Sequence, residues 1–236
     1  MPENRLLASL PADERERLKP YLENVTLEFL QVLVEFDRPI EHVYFLDDAV
    51  TSTVVRTPDG DTIEVGLMGA EGFVGLSLVY GVGRSNGTVV VQMAGGASRM
   101  RAADFNRHVK ERGGLCLDLL LRYANYFAVM VQQHAACNAT HNIEARMCRW
   151  ILLTHDRVGG DVFPLTQEYL ALMLGVRRPT VTEIAQRLRE EGLIDYTRGN
   201  VKVTDRRGLE QRSCACYGLI REQMAHTFRK QRPPER

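Results

Sequence analysis

Only five of the 236 residues are cysteine (Cys116, Cys137, Cys148, Cys214 and Cys216), and none precedes residue 116. Their number is odd, their spacing is irregular and no C-x-x-C pair occurs, which argues against a disulfide framework or a zinc site. The expectation is reduced thiols and no metal centre, with Cys214-Ala215-Cys216 the one stretch that leaves a redox or metal role open. Net charge is also absent: 30 Lys and Arg balance 30 Asp and Glu. A protein held to nucleic acid by bulk charge is thereby disfavoured, though a local basic patch is not. No apolar run approaches the roughly 18 residues that suggest a membrane span. Asn4, Arg5 and a DERER segment occupy the start, so no signal peptide is expected and the cytoplasm is the expected location. Histidine is scarce, with His42 alone before residue 103. The clustered histidines of a metal-holding β-barrel enzyme therefore cannot form. No nucleophile–base pair or phosphate-cradling Gly-Lys-Ser/Thr motif appears, so an enzyme is not expected.

What remains is ordinary globular material, 44% apolar and 25% charged. Its texture changes twice along the chain. After one or two short helices within residues 5–22, short β-rich runs alternate with turns up to about Arg101: HVYFL, STVVRT, DTIEVGLM after Pro58-Asp59-Gly60, GTVVVQMA, then ASRMR beyond Gly95-Gly96. Many short strands with glycine turns predict a β-barrel or jelly roll. From Ala103 the pattern is helical, with one weak point at Gly113-Gly114. Leu117, Leu120, Ala124, Phe127, Val131 and His134 step by three and four, the seam of a coiled coil. One seam also fits a helix packed on its own domain. Apolar residues on the opposite flank (Leu121, Ala128, Met130) favour a dimer helix that faces both ways. A third unit begins with NIEARMCRWILLTHDRVG, and a final helix is expected from about Asp205 to Phe228, followed by a disordered tail.

The densest signal is LTQEYLALMLGVRRPTVTEIAQRLREEGLI, Leu165 to Ile194. Thr166–Leu174 reads as one helix burying Leu170, Ala171 and Leu174. Gly175 suits the left-handed stop. Pro179 suits the first turn of a second helix, which buries Val181, Ile184, Ala185 and Leu188. The small residue at Ala171, the glycine four later and the tight joint are the spacing of a helix-turn-helix. A β-hairpin at Arg198-Gly199-Asn200, where Gly and Asn can take positive φ, adds a wing. Arg177, Arg178, Thr180 and Thr182 then lie at the exposed start of the second helix, where such motifs reach base edges. Arg187 lies further along the same helix. Thr166 and Gln167 are candidates for phosphate contact through a helix start, and Arg198 and Lys202 on the wing for phosphate contact by charge. From Pro164 to Arg212 nine Lys and Arg face seven Asp and Glu, a local positive excess.

The order β-roll, long helix, winged helix-turn-helix, together with PIEHVYFL (39–46), GAEGFVGLSLVYGVGRSNGTVVVQ (69–92) and the two-helix stretch above, resembles the bacterial Crp/Fnr family of transcription regulators over about Leu6 to Glu210. The resemblance implies an α+β chain. A cyclic-nucleotide-binding-like β-roll (1–103) precedes a dimerisation helix (104–138), a winged helix-turn-helix (139–228) and the tail (229–236). It implies a homodimer on a pseudo-palindromic operator in double-stranded DNA, with RNA polymerase as a further partner and no membrane. It also implies a small effector, such as a cyclic nucleotide, with no certain cofactor. In cyclic-AMP-binding members a Gly-Glu pair and a later Arg-Ser hold the ligand. Here Gly75 and Arg84-Ser85 fit, but Leu76 stands where the glutamate would be, and leucine cannot accept a sugar hydroxyl. Tight cyclic AMP binding is therefore not expected. Arg84 either holds another phosphate-containing effector or braces the roll.

Overall fold

The computed structural model describes residues 3–60 and 62–229. Of the expected tail, residues 230–236 lie outside the described residues.

The N-terminal segment is anchored by one polar side chain. Asn4 caps helix α1 (Arg5–Ala8) by accepting from the Leu6 and Leu7 amides. Its Nδ2 donates to the carbonyls of Leu46, Ala70 and Gly72 at 2.8–3.1 Å. Such full satisfaction is what permits an amide at 0% exposure. Helix α2 (Ala12–Leu18) and a 3-10 turn (Lys19–Tyr21) lead into the roll.

The roll is two antiparallel four-stranded sheets. One has the order β1 (Glu23–Leu27), β8 (Gly95–Arg101), β3 (His42–Leu46), β6 (Phe73–Val74); the other has β2 (Val32–Val34), β7 (Thr88–Met93), β4 (Val50–Arg56), β5 (Thr62–Met68). Phe45, Phe73 and Phe105 pack as tilted ring pairs through the core, with ring centroids 4.9 and 5.5 Å apart. β1, β2 and β6 are invisible in the sequence because their patterns are too short or too exposed to alternate cleanly. Gly95 and Gly96, expected as a spacer, belong to β8. A Cβ on Gly95 would stand 2.5 Å from the Ala49 nitrogen, so only glycine lets the strand pass beneath that turn.

Helix α3 (Leu76–Val79) lies between β6 and β7. After β8, helix α4 (Ala102–Phe105) and a π-helical turn (Asn106–Lys110) run to Gly113 and Gly114, both at positive φ. There the chain bends by 109° into α5 (Leu115–Thr140). α5 packs closely on the roll at Gly66, where a Cβ would sit 2.6 Å from the Phe127 ring. Among the described residues no single helix is long and apolar enough to cross a membrane.

The C-terminal unit comprises α6 (Ile143–His155), β9 (Val162–Pro164), α7 (Gln167–Leu174), α8 (Arg178–Glu190), β10 (Ile194–Thr197), β11 (Asn200–Val203) and α9 (Arg206–Arg212). Its sheet has the order β10-β11-β9. In the hairpin Arg198 (φ 50°) and Gly199 take the positive φ, whereas Asn200 is already in β11. The single last helix expected over 205–228 is two helices. Ser213 is extended (φ −74°, ψ 157°), and α10 (Cys216–Phe228) starts afresh and returns along α5.

Two buried polar contacts join the roll to this unit. The Trp150 indole donates to Glu64 Oε1 at 2.9 Å, and Glu64 Oε2 accepts from Ser52 and, at 3.0 Å, from Gln92. Arg157 pairs with Glu71 at 2.6 Å and donates to the Leu153 carbonyl and the Tyr126 hydroxyl. Both side chains of the pair are under 5% exposed.

Candidate DNA-binding surface and effector cavity

The joint between α7 and α8 follows from local chemistry. Thr166 caps α7 by accepting from the Tyr169 amide at 3.1 Å. Gly175 ends the helix in the left-handed region (φ 64°, ψ 41°), and the Val176 amide closes the turn on the Ala171 carbonyl. Arg177 is extended as the cap of α8, and Pro179 sits in its first turn, where a missing N–H leaves no bond unmade. α8 buries Val181, Ile184, Ala185 and Leu188. Its other face is left to solvent.

The expected DNA contacts are not equally free. Arg177 and Arg178 are exposed at the leading edge of α8, and no carboxylate pairs with either among the described residues. Thr180 is half-buried beside them. Thr182 is exposed, but its hydroxyl donates to Gln167 Oε1 at 2.7 Å, which ties the two helices together. Arg198 and Lys202 project from the wing. Arg187 is different: it pairs with Glu144 of α6 at 2.9 Å and with Glu183 at 3.7 Å. Glu144 also holds Arg212, which in turn meets Glu191. Arg187 thus belongs to a brace across α6, α8 and α9, not to the leading edge of α8.

The roll and α5 enclose a cavity of about 280 Å³, near the lower end of small-molecule sites. Gly75, Leu76 and Ser85 line it from the roll, and Phe127, Val131 and Gln132 from α5. Gly75 takes φ 114°, and a Cβ there would meet Val43 at 2.6 Å. Among the described residues no charged side chain lines the cavity. Arg84 lies outside it, with Nε 2.8 Å from Asp37 Oδ1 and a further bond to the Asp37 carbonyl. The guanidinium holds the Asp37 carboxyl below its ordinary range. Of the two roles open to Arg84, the geometry matches the brace.

The residues of the seam expected on α5 differ in their burial within the chain. Leu120, Ala124 and His134 are buried within this chain, and Leu117, Phe127 and Val131 are half-buried. His134 hydrogen-bonds to the Val65 backbone, and burial holds its imidazole well below its ordinary pKa. The strip one position on (Asp118, Leu121, Asn125, Gln132, Ala135) stays exposed. Spacing alone could not separate the two phases, because both flanks carry apolar residues.

Residues that spacing did not single out also converge. Glu64 gives no sequence signal, although its partner Trp150 is the only tryptophan. All five cysteines are free thiols, and burial pushes those of Cys116 and Cys148 up to about 12. The other three are not isolated. Cys137, Cys214 and Cys216 meet His141 in one cluster, because α10 folds back on the end of α5 across some 75 residues of sequence.

Residues 145–212 match the family described as the Crp-like helix-turn-helix domain. The C-terminal unit is a Crp-like helix-turn-helix domain. A comparison with curated protein sequences finds no match to the chain. Among solved structures, a Crp/Fnr-family transcriptional regulator from Eubacterium rectale superposes with a TM-score of 0.67 at 14% identity, covering 88% of this chain and 97% of its own. A CRP-family regulator from Thermus thermophilus gives 0.65 at 18%, covering 80% and 96%. The c-di-GMP-responsive regulator CLP of Xanthomonas campestris gives 0.59 at 14%, covering 82% and 99%. The chain therefore has the fold of the Crp/Fnr transcription regulators, with a Crp-like helix-turn-helix at its C-terminal end and a β-roll at the other.

Proposed function

We propose that this chain is a sequence-specific transcription regulator that acts as a homodimer on a pseudo-palindromic operator, its β-roll sensing an uncharged or weakly charged small effector and not cyclic AMP. The observation that carries the DNA reading is the pair of exposed arginines at the start of α8 that no carboxylate pairs with among the described residues, whereas Arg187 and Arg189 further along the same helix are tied to carboxylates. A guanidinium free of its own protein's carboxylates can give both donors to the O6 and N7 of a guanine. Thr166 and Gln167 at the start of α7, with Arg198 and Lys202 on the wing, flank it as phosphate contacts.

The dimer is assigned to the exposed strip of α5 that includes Leu121, Asn125 and Gln132. A partner helix laid there would also stand beside the cavity, since Gln132 and Ala128 line it. An effector would then change the packing of the α5 pair and so the spacing of the two α8 helices, a shift between two pre-existing arrangements. The neutral lining supports an effector other than a cyclic phosphate. Leu76 removes the ribose acceptor, and Arg84 is engaged by Asp37 outside the cavity. The relative CLP responds to c-di-GMP, so effectors within this fold differ.

The decisive experiment selects bound sites from random duplex DNA, then measures affinity of the full chain for the best site by fluorescence anisotropy. Arg178→Ala is expected to weaken that site by about 5–150-fold, the 1–3 kcal/mol of one bidentate pair. Absence of binding to any duplex at low ionic strength overturns the DNA reading. Strong stimulation by cyclic AMP overturns the effector reading alone.

A further inference from the structure

The structure assigns a second binding site to this chain: Cys137, His141, Cys214 and Cys216 form a four-ligand site for a single soft divalent cation, zinc by its chemistry. The ligand atoms of all four residues lie within 4.8 Å of one another. Cys137 Sγ is 3.4 Å from Cys214 Sγ, and Cys216 Sγ is 3.6 Å from His141 Nδ1. A tetrahedral zinc with Zn–S near 2.3 Å and Zn–N near 2.0–2.1 Å puts its ligand atoms roughly 3.5–3.8 Å apart. The 3.6 Å separation falls within that range and the 3.4 Å one just below it. They are too long for a disulfide, whose sulfurs are about 2.0 Å apart. They are too compact for an iron–sulfur cluster, whose ligands stand around a core of several atoms.

The local framework suits the role. Cys137 and His141 are four residues apart at the last turn and cap of α5, so both point to one side. Cys214 and Cys216 flank Ala215 in the break between α9 and α10. Three of the four are buried, and His141 closes the exposed side. Gln133 donates to Cys216 Sγ at 3.0 Å, an outer contact of the kind that orients a thiolate. When the cation binds, the three thiols release their protons to solvent and His141 binds through neutral Nδ1. Three thiolates and one divalent cation leave a net charge of minus one. Two arginines answer it. Arg146 and Arg149, on the first turns of α6, act electrostatically on these sulfurs. Arg149 is 3% exposed, and its Nε and Nη1 have no hydrogen-bond partner among the described residues. A buried, unsatisfied guanidinium is costly unless an anionic centre stands near it.

The ligands also bracket the DNA-binding unit. Residues 145–212 lie between His141 and Cys214. One cation therefore pins both ends of the Crp-like domain to the end of α5, the helix to which dimer and effector are assigned. This site is independent of that functional reading, because it rests on ligand geometry alone.

The test is zinc content of the full chain purified without chelator, by plasma mass spectrometry, with cobalt substitution as a second readout. We expect one zinc per chain, and on replacement by cobalt the visible bands of a tetrahedral thiolate site. Cys214→Ser and His141→Ala should lose the metal, and Cys148→Ser should keep it. In the wild-type chain, thiol titration should show Cys137, Cys214 and Cys216 protected until a chelator is added. A metal-free chain that takes up neither zinc nor cobalt overturns the proposal. So does a Cys137–Cys214 disulfide in the freshly purified chain, or metal content unchanged in both Cys214→Ser and His141→Ala.

Discussion

Arg178 and Arg84 are both arginines that the sequence offers for contact with a ligand, and the protein holds them oppositely. At the α7–α8 joint the guanidinium has no carboxylate partner among the described residues. In the roll Arg84 is neutralised by Asp37 and sits outside the cavity. Arg187 and Arg157 repeat the second pattern, one in a surface brace and one in the core. An arginine already bound to its own chain serves the fold, and an unbound one is left for a ligand. The sequence cannot distinguish them, since Asp37 and Arg84 are 47 residues apart.

Substitutions can break that comparison. The largest effect should come from the buried pair. Glu71→Ala leaves the Arg157 charge without its partner in the core and should cost about 3–5 kcal/mol of unfolding free energy, read by urea denaturation. Next is Arg178→Ala, which should cost about 1–3 kcal/mol of operator binding with little change in stability. A large loss of stability in Arg178→Ala would erase the distinction between free and bound arginines.

Glu64 sharpens the picture through pH. Burial raises its pKa above the ordinary carboxyl value, against the pull of its bonds from Ser52 and Trp150. A raised acid contributes stability that is complete below the unfolded pKa, near 4.5, and is lost as pH rises through the folded value. His134 works in the opposite sense: its lowered pKa gives stability present above about 6.5, lost as pH falls through the folded value. Between these, Glu64→Gln should flatten the fall on the alkaline side, where the slope reaches at most about 1.4 kcal/mol per pH unit for one proton. Unfolding curves across pH check this, and an unchanged slope on the alkaline side would remove Glu64 as its source. The smallest effect should be Arg84→Ala. Its exposed pair with Asp37 is screened by solvent and should contribute little to stability, and effector response should survive. Loss of response would return Arg84 to the ligand site.

The helix-turn-helix was legible because every signal for it is local. Cap, glycine, proline and buried face fall within 30 residues, and each acts on its neighbours through backbone chemistry. The roll was legible as a class but not strand by strand, since β2 and β6 are too short to show a period. The partner face of α5 was not legible because apolar residues occupy both flanks, and spacing does not say that Leu120, Ala124 and His134 are buried within the chain itself. The cysteine cluster was illegible for a different reason. Cys137 and Cys214 are 77 residues apart, and only the break at Ser213 turns α10 back towards α5.

Gly66 gives α5 a fixed seat. With bare backbone beneath it, the Phe127 ring drops into a notch in β5 that any side chain would fill. For the long helix to slide or roll against the sheet, that ring must first climb out over its neighbours. The notch therefore acts as a detent that resists such sliding. A methyl group added at that one spot would press on the Phe127 ring and lift the helix off its seat, moving the α5 wall of the cavity while leaving every residue of the α7–α8 joint unchanged.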